Sequence, residues 1–132
     1  MSEPVELSIP VQADLILLAR LTAATVASRA GFDVEEVEDL RLAVDELCVS
    51  VVNGASTGRL QLTFVTTDGN VEVSCAVVGG EAVKPDSAPA EHAERDLSVR
   101  ILDALVDDHG EEVGEGQRRG WLRKRSNLHG TS

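Results

Sequence analysis

A chain of 132 residues can bury one hydrophobic core but not two ordinary ones, so a single domain is expected. A formal net charge of −11, with only two Phe and one Trp, argues against a direct nucleic-acid binder and requires a core packed from Val, Leu and Ala. The charge is uneven: residues 1–117 hold all 23 carboxylates and seven of the twelve basic residues, a balance of −16, whereas Arg118, Arg119, Arg123, Lys124 and Arg125 make the last stretch basic, the pattern of a charge-protected sheet edge.

Along the chain, Val5, Leu7, Ile9 and Val11 alternate with polar residues, the period of a half-buried strand ending at Pro10. A helix is expected from Ala13 to Ala30, with an apolar stripe of Leu17, Leu18, Leu21, Ala24 and Val26 and a stop at Gly31. Asp33 caps a second helix, whose early Glu35, Glu36 and Glu38 complement the positive end of the helix dipole. Its buried face reads Val37, Leu40, Val44, Leu47 and Val51. Leu60, Leu62 and Phe64, the turn Asp68-Gly69, and Val71, Val73, Cys75 and Val77 then form a hairpin signal. Residues 79–95 read as a long irregular connection, after which Asp96 caps a third helix with the stripe Leu97, Ile101, Leu102, Leu105 and Val106. Two closing strands follow, around Glu111 to Val113 and from Arg118 to Arg125, so the domain spans 1–125 and 126–132 form a tail.

Cys48 and Cys75 fall on apolar positions of a helix and a strand, which suits buried thiols in a reducing compartment. His92, His109 and His129 are scattered, so no metal site is expected from them. No apolar run approaches the roughly 20 residues of a spanning helix, and the N-terminus has no signal-peptide pattern, so a cytoplasmic protein without membrane contact is expected. The order strand, helix, helix, hairpin, helix, hairpin predicts an α+β fold with helices on one face of a mostly antiparallel sheet.

Glu46 and Ser50 are four residues apart on the second helix and therefore share a face. By themselves, Asp45 and Glu46 read equally as solvated carboxylates on an amphipathic helix. The stretches Asp39 to Val52, Val71 to Gly80 and Asp96 to Asp108, with its Leu-Val-Asp-Asp ending, carry a further signal in their order and spacing. Over roughly residues 3–125 the chain resembles the bacterial anti-sigma factor serine kinases, small members of the GHKL ATPase superfamily. The resemblance implies a Bergerat-type two-layer sandwich, with ATP and Mg²⁺ held between helices and sheet, and a sigma factor or an anti-anti-sigma protein as partner. It also allows a homodimer.

Laid on this chain, the resemblance makes Glu46 the general base. The Mg²⁺-binding Asn of the family is replaced by Ser50, a shorter-reaching ligand for a metal that demands near-ideal geometry. In the family's Asp-x-Gly-x-Gly element Gly79 survives, but Val77 stands where the adenine-binding Asp would be and Glu81 replaces the second Gly. Leaving the adenine donor unpaired costs about 1–3 kcal/mol. Gly79-Gly80 also reads as an ordinary strand-ending turn. The phosphate-binding Gly-x-Gly becomes Asp96-Leu97-Ser98, where a capping carboxylate would occupy the anion seat itself. Arg20 matches the family's partner-contact arginine, and it reads equally as a plain surface residue. These departures point to an anti-sigma-like regulator with weakened ATP and Mg²⁺ binding. An active serine kinase acting on an anti-anti-sigma protein is the alternative, and an interaction module with no sigma link is a third class.

Overall fold

The computed structural model describes residues 3–53, 55, 57–80, 89–114 and 117–126. Strand β1 (Val5–Pro10) leads through a single 3-10 turn (Ala13–Leu15) into α1 (Ile16–Arg29). Helix α2 (Val34–Val52), the hairpin β2 (Arg59–Thr67) and β3 (Asn70–Val78), α3 (Pro89–Leu105), and the hairpin β4 (Asp108–Gly114) and β5 (Gln117–Arg125) complete the order. The strands form one antiparallel sheet in the order β1-β2-β3-β5-β4. The α+β class and the helix-on-sheet arrangement thus follow the pattern of the sequence.

Strand alternation sends Leu60, Leu62, Phe64, Val71, Val73, Cys75, Val77 and Leu122 to one face, where each is at least 95% buried. Helix α2 lies over β3 and β5 with Leu40, Val44, Leu47, Cys48 and Val51 against them. The approach is close at Gly120 of β5, where a Cβ would sit 2.6 Å from Leu47 Cδ1 and 3.0 Å from Val51 Cγ2. Asp33 begins α2 with a reciprocal capping box: its carboxylate accepts from the Glu36 backbone N–H at 2.8 Å, and the Asp33 N–H donates to Glu36 at 3.0 Å.

Three expectations are corrected. The apolar stripe of α1 is rotated: Ile16, Ala19, Ala23, Val26 and Ala27 are buried, whereas Leu17, Leu18 and Leu21 are 42–51% exposed. Alanines four apart make a shallow ridge that lets α1 pack closely on α2, so small residues hold the interface and the large ones point outward. Helix α3 starts at Pro89, not at Asp96. Proline suits a first helical turn because it needs no acceptor for a missing N–H. Finally, β5 lies between β3 and β4, so the basic stretch is not a sheet edge. Its charges face a carboxylate-rich neighbour instead: Arg123 is registered against Asp108 and Arg119 against Glu112, and Arg123 Nη2 lies 3.3 Å from Asp108 Oδ2. Ser126 is buried, and its N–H donates to the Gly69 carbonyl at 2.8 Å, so it belongs to the body; residues 127–132 of the expected tail lie outside the described residues.

Candidate functional site

Helix α2 has polar residues on both flanks of its buried stripe, and each flank meets a different neighbour. On the α1 side, Arg20 Nε donates to Asp45 Oδ1 at 2.9 Å, with the two side chains 41% and 33% exposed. Leu17 and Leu21 lie one turn from or next to Arg20 on α1, and Leu42 lies one turn before Asp45 on α2; all three are exposed. The result is a two-helix surface with an ion pair among aliphatic side chains.

On the other flank, α2, α3 and β5 enclose a cavity of about 380 Å³. Glu46 and Ser50 enter from α2, Arg95 and Ser98 from α3, and Arg118 from β5. The register Glu111↔Gly120 brings Glu111 of β4 to the same side of the sheet. Ser50 Oγ donates to Glu111 Oε2 at 3.0 Å, Arg118 Nη1 donates to Glu111 Oε1 at 3.2 Å, and Arg95 Nη1 lies 3.8 Å from that same oxygen. The Arg118 side chain is only 3% exposed. One carboxylate thus ties α2, α3, β4 and β5 together. Glu46 is half-buried and makes no hydrogen bond or ion pair among the described residues. Ser98 is buried, and its hydroxyl finds no hydrogen-bond partner among the described residues.

Glu46, Ser50 and Ser98 line one cavity, the arrangement the family resemblance implies for their positions, and the other cavity-site candidates do not join them. Asp96 is not a cap: it is an exposed residue inside α3, whose amides around 96–98 are engaged in the helix rather than held by a carboxylate. Val77 is a core residue. Gly79 ends β3 at φ +75° and does not line the cavity; beside it, a Cβ on Gly80 would lie 2.5 Å from the Thr57 carbonyl oxygen. Glu81 lies outside the described residues. Asn53 closes α2 in the left-handed conformation and reaches the cavity mouth.

Sequence reasoning missed Arg118, Glu111 and Arg95. The alternation of β5 carried a signal for Arg118, which shares the inward side with Gly120 and Leu122, but a run of basic residues hides a single inward one. Arg95 fell in the segment read as irregular. Beside the Cys48 side chain, and buried, Cys75 has its thiol pushed above the ordinary range, so it stays protonated and inert.

Residues 9–124 match the model of the histidine kinase-like ATPase domain. The chain belongs to this family. Within it, the chain is 31% identical over 120 residues to proteins named serine-protein kinase RsbW from Bacillus thuringiensis (strain Al Hakam), Bacillus cereus (strain AH187) and Bacillus anthracis, covering 80% of this chain and 75% of each relative. The resemblance to the anti-sigma serine kinases is thereby established at the level of family. Among the described residues of this family member, no helix is long and apolar enough to cross a membrane.

Proposed function

We propose that this chain is an anti-sigma-factor-like regulator that sequesters a sigma factor, or binds an anti-anti-sigma antagonist, without efficient binding of Mg·ATP. The family implies ATP and Mg²⁺, so the residues present must be tested against them. The observation that carries the reading is the Ser50–Glu111–Arg118 cluster. Ser50 occupies the position of the family's metal-binding amide, with a shorter side chain whose hydroxyl is turned to Glu111. Val77 offers no acceptor to an adenine amino group, and the helical amides at 96–98 offer no seat to a phosphate. These side chains do not fit Mg·ATP.

The partner surface is supported by the other flank of α2. Arg20 with exposed Leu17 and Leu21 combines a charge with apolar area, the mixture that carries affinity at protein interfaces. The acidic body favours association with a basic partner. Glu46 favours a second reading, an active serine kinase acting on an anti-anti-sigma protein. It keeps the family's general-base position, lines the cavity and is held by no cation among the described residues.

Calorimetric titration with Mg·ATP separates the two. The expected result is no saturable binding below about 1 mM, a threshold of some 4 kcal/mol in binding free energy. Tighter binding, or phosphate transfer to an antagonist that Glu46→Gln abolishes, would overturn the sequestration reading in favour of the kinase.

A further inference from the structure

We infer that the uncovered face of the sheet is a self-association surface, and that its occupant is a second copy of this chain. The helices pack on the other face, so on this one Gln61, Glu72, Ser74, Arg119 and Arg123 are exposed. Trp121, the chain's only tryptophan, stands among them half-buried instead of in the core. Tryptophan and arginine are the residue types most enriched among the anchors of protein interfaces.

The face has a relief. A Cβ on Gly110 would sit 2.6 Å from Trp121 Nε1, so the indole leans over β4. On its other side a trough of about 620 Å³ opens, lined by Ser74 and Ala76 of β3 and by Gln61 and Thr63 of β2. Across the β3–β5 register Trp121 is opposite Ser74, Arg119 opposite Ala76 and Arg123 opposite Glu72. Long side chains thus stand on β5, with short ones or a carboxylate beside them on β3.

A two-fold axis running between β3 and β5, parallel to both, makes this relief self-complementary. It lays β5 of each copy over β3 of the other, so every β5 residue faces the residue it is registered against in its own sheet. Trp121 then faces the second copy's Ser74. Its indole leans toward β4, and β4 comes to lie over the second copy's β2, so the ring enters the trough between β3 and β2. Arg123 faces the second copy's Glu72, which is exposed and holds no cation among the described residues. Stacked sheets stand about 10 Å apart with their strands within about 30° of aligned, so long side chains opposite short ones fit between them. An axis along β5 itself would instead stack arginine on arginine and leave both troughs open. The contact keeps the α1–α2 surface and the cavity on the outside of both copies, so the inference does not rest on how the cavity treats Mg·ATP.

The test is sedimentation velocity of the full chain from about 5 to 500 µM, the range of a modest protein–protein affinity, with Trp121 emission recorded over the same series. A monomer–dimer equilibrium is expected, with a blue shift of the emission that tracks the dimer fraction, because no other tryptophan contributes. Trp121→Ala, Glu72→Arg and Arg123→Glu should each weaken association at least about tenfold. The decisive arm is an equimolar mixture of the two charge variants. A Glu72→Arg chain against an Arg123→Glu chain has opposite signs at both pairs between the copies, whereas within each chain the registered pair keeps like charges. The mixture should therefore associate as wild type does, a recovery that damage to either fold could not give. Thermal melts check that the variants fold, and where one charge variant does not, Trp121→Ala and the emission series still decide. A monomer at the highest concentration, association without an emission change, or a mixture as weak as its components would overturn the proposal.

Discussion

Asp45 and Glu46 are neighbours in sequence, yet they serve surfaces of different physics. Asp45 meets Arg20 in an open ion pair, with side chains 33% and 41% exposed, at the seam of two helices. Glu46 looks into an enclosure where Glu111 is 21% exposed, Arg118 only 3%, and Ser50 is already committed. Water screens the first pair, so it is free to exchange partners at little cost. The second set is anchored on a desolvated Arg118, and three partners share one carboxylate, so its members depend on one another and resist exchange. An exchangeable charge suits a protein-docking surface. A locked cluster suits a cavity that has given up a large ligand.

The comparison is broken most directly by removing one guanidinium from each side. Arg118→Met takes from Glu111 a buried guanidinium 3.2 Å away, and should cost about 3 kcal/mol in urea denaturation. Arg20→Met should cost under about 1 kcal/mol. Equal costs would mean that the cavity cluster is as solvated as the surface pair.

Binding should reverse that ranking. Arg20→Glu places a like charge against Asp45 and should weaken association with the cognate sigma factor or antagonist by at least about tenfold, or 1.4 kcal/mol. The fold should survive. Arg118→Met, where folded, should leave this association within about twofold. If the interface is charge-steered, association should also slow as salt rises and the Debye length falls below about 8 Å, while dissociation changes less. Unchanged affinity of Arg20→Glu would take Arg20 out of the interface.

A smaller effect is expected from a site belonging to neither surface. Asp33→Ala removes half of the capping box at the start of α2, which should cost about 1 kcal/mol of stability. Ser50 and Arg20 act well away from that end, so ligand and partner affinities measured below the melting transition should not move. A loss of partner affinity in this variant would show that the docking surface depends on the helix start.

Period-two alternation made β1, β2 and β3 legible, and the cap at Asp33 made α2 legible, because the residues at the expected inward positions, such as Ile9, Leu60, Leu62, Val73, Leu40, Val44 and Leu47, are the buried ones. In α1 the rule fails. The interface is built on alanines, and hydrophobic size points to Leu17 and Leu21, which face outward. The start of α3 was hidden because Asp96 resembles a cap and the residues before it lack apolar periodicity. At the candidate site, the shared face of Glu46 and Ser50 was legible from one helical spacing, and their roles only from the family resemblance. Their consequences were not, because Glu111 lies 61 residues from Ser50 in the chain and only the β4–β5 register brings it there. Cross-strand register is a property of the assembled sheet, and no local pattern encodes it.

The smallest expected effect is that of Glu111 on the buried thiol beside the cavity. The Cys75 thiol lies beside Cys48 and is buried, with Glu111 adding a weaker repulsion, and together they push it above the ordinary value of 9.0. The folded chain therefore retains a proton that the unfolded chain releases, so this contribution to stability is fully present below about pH 9 and is lost as pH rises beyond it. One such proton gives a slope of at most about 1.4 kcal/mol per pH unit. Denaturation midpoints between pH 8 and pH 10.5, on the order of one to two units to either side of the thiol range, should fall more steeply for wild type than for Cys75→Ala. That variant carries its cavity penalty at every pH and so changes the height of the curve as well. Glu111→Gln should flatten the slope only slightly, since Cys48 and burial dominate the shift. Parallel curves for wild type and Cys75→Ala would show that the thiol ionises freely beneath α2. A Glu111→Gln curve as flat as that of Cys75→Ala would show instead that the locked cluster governs the core beside it.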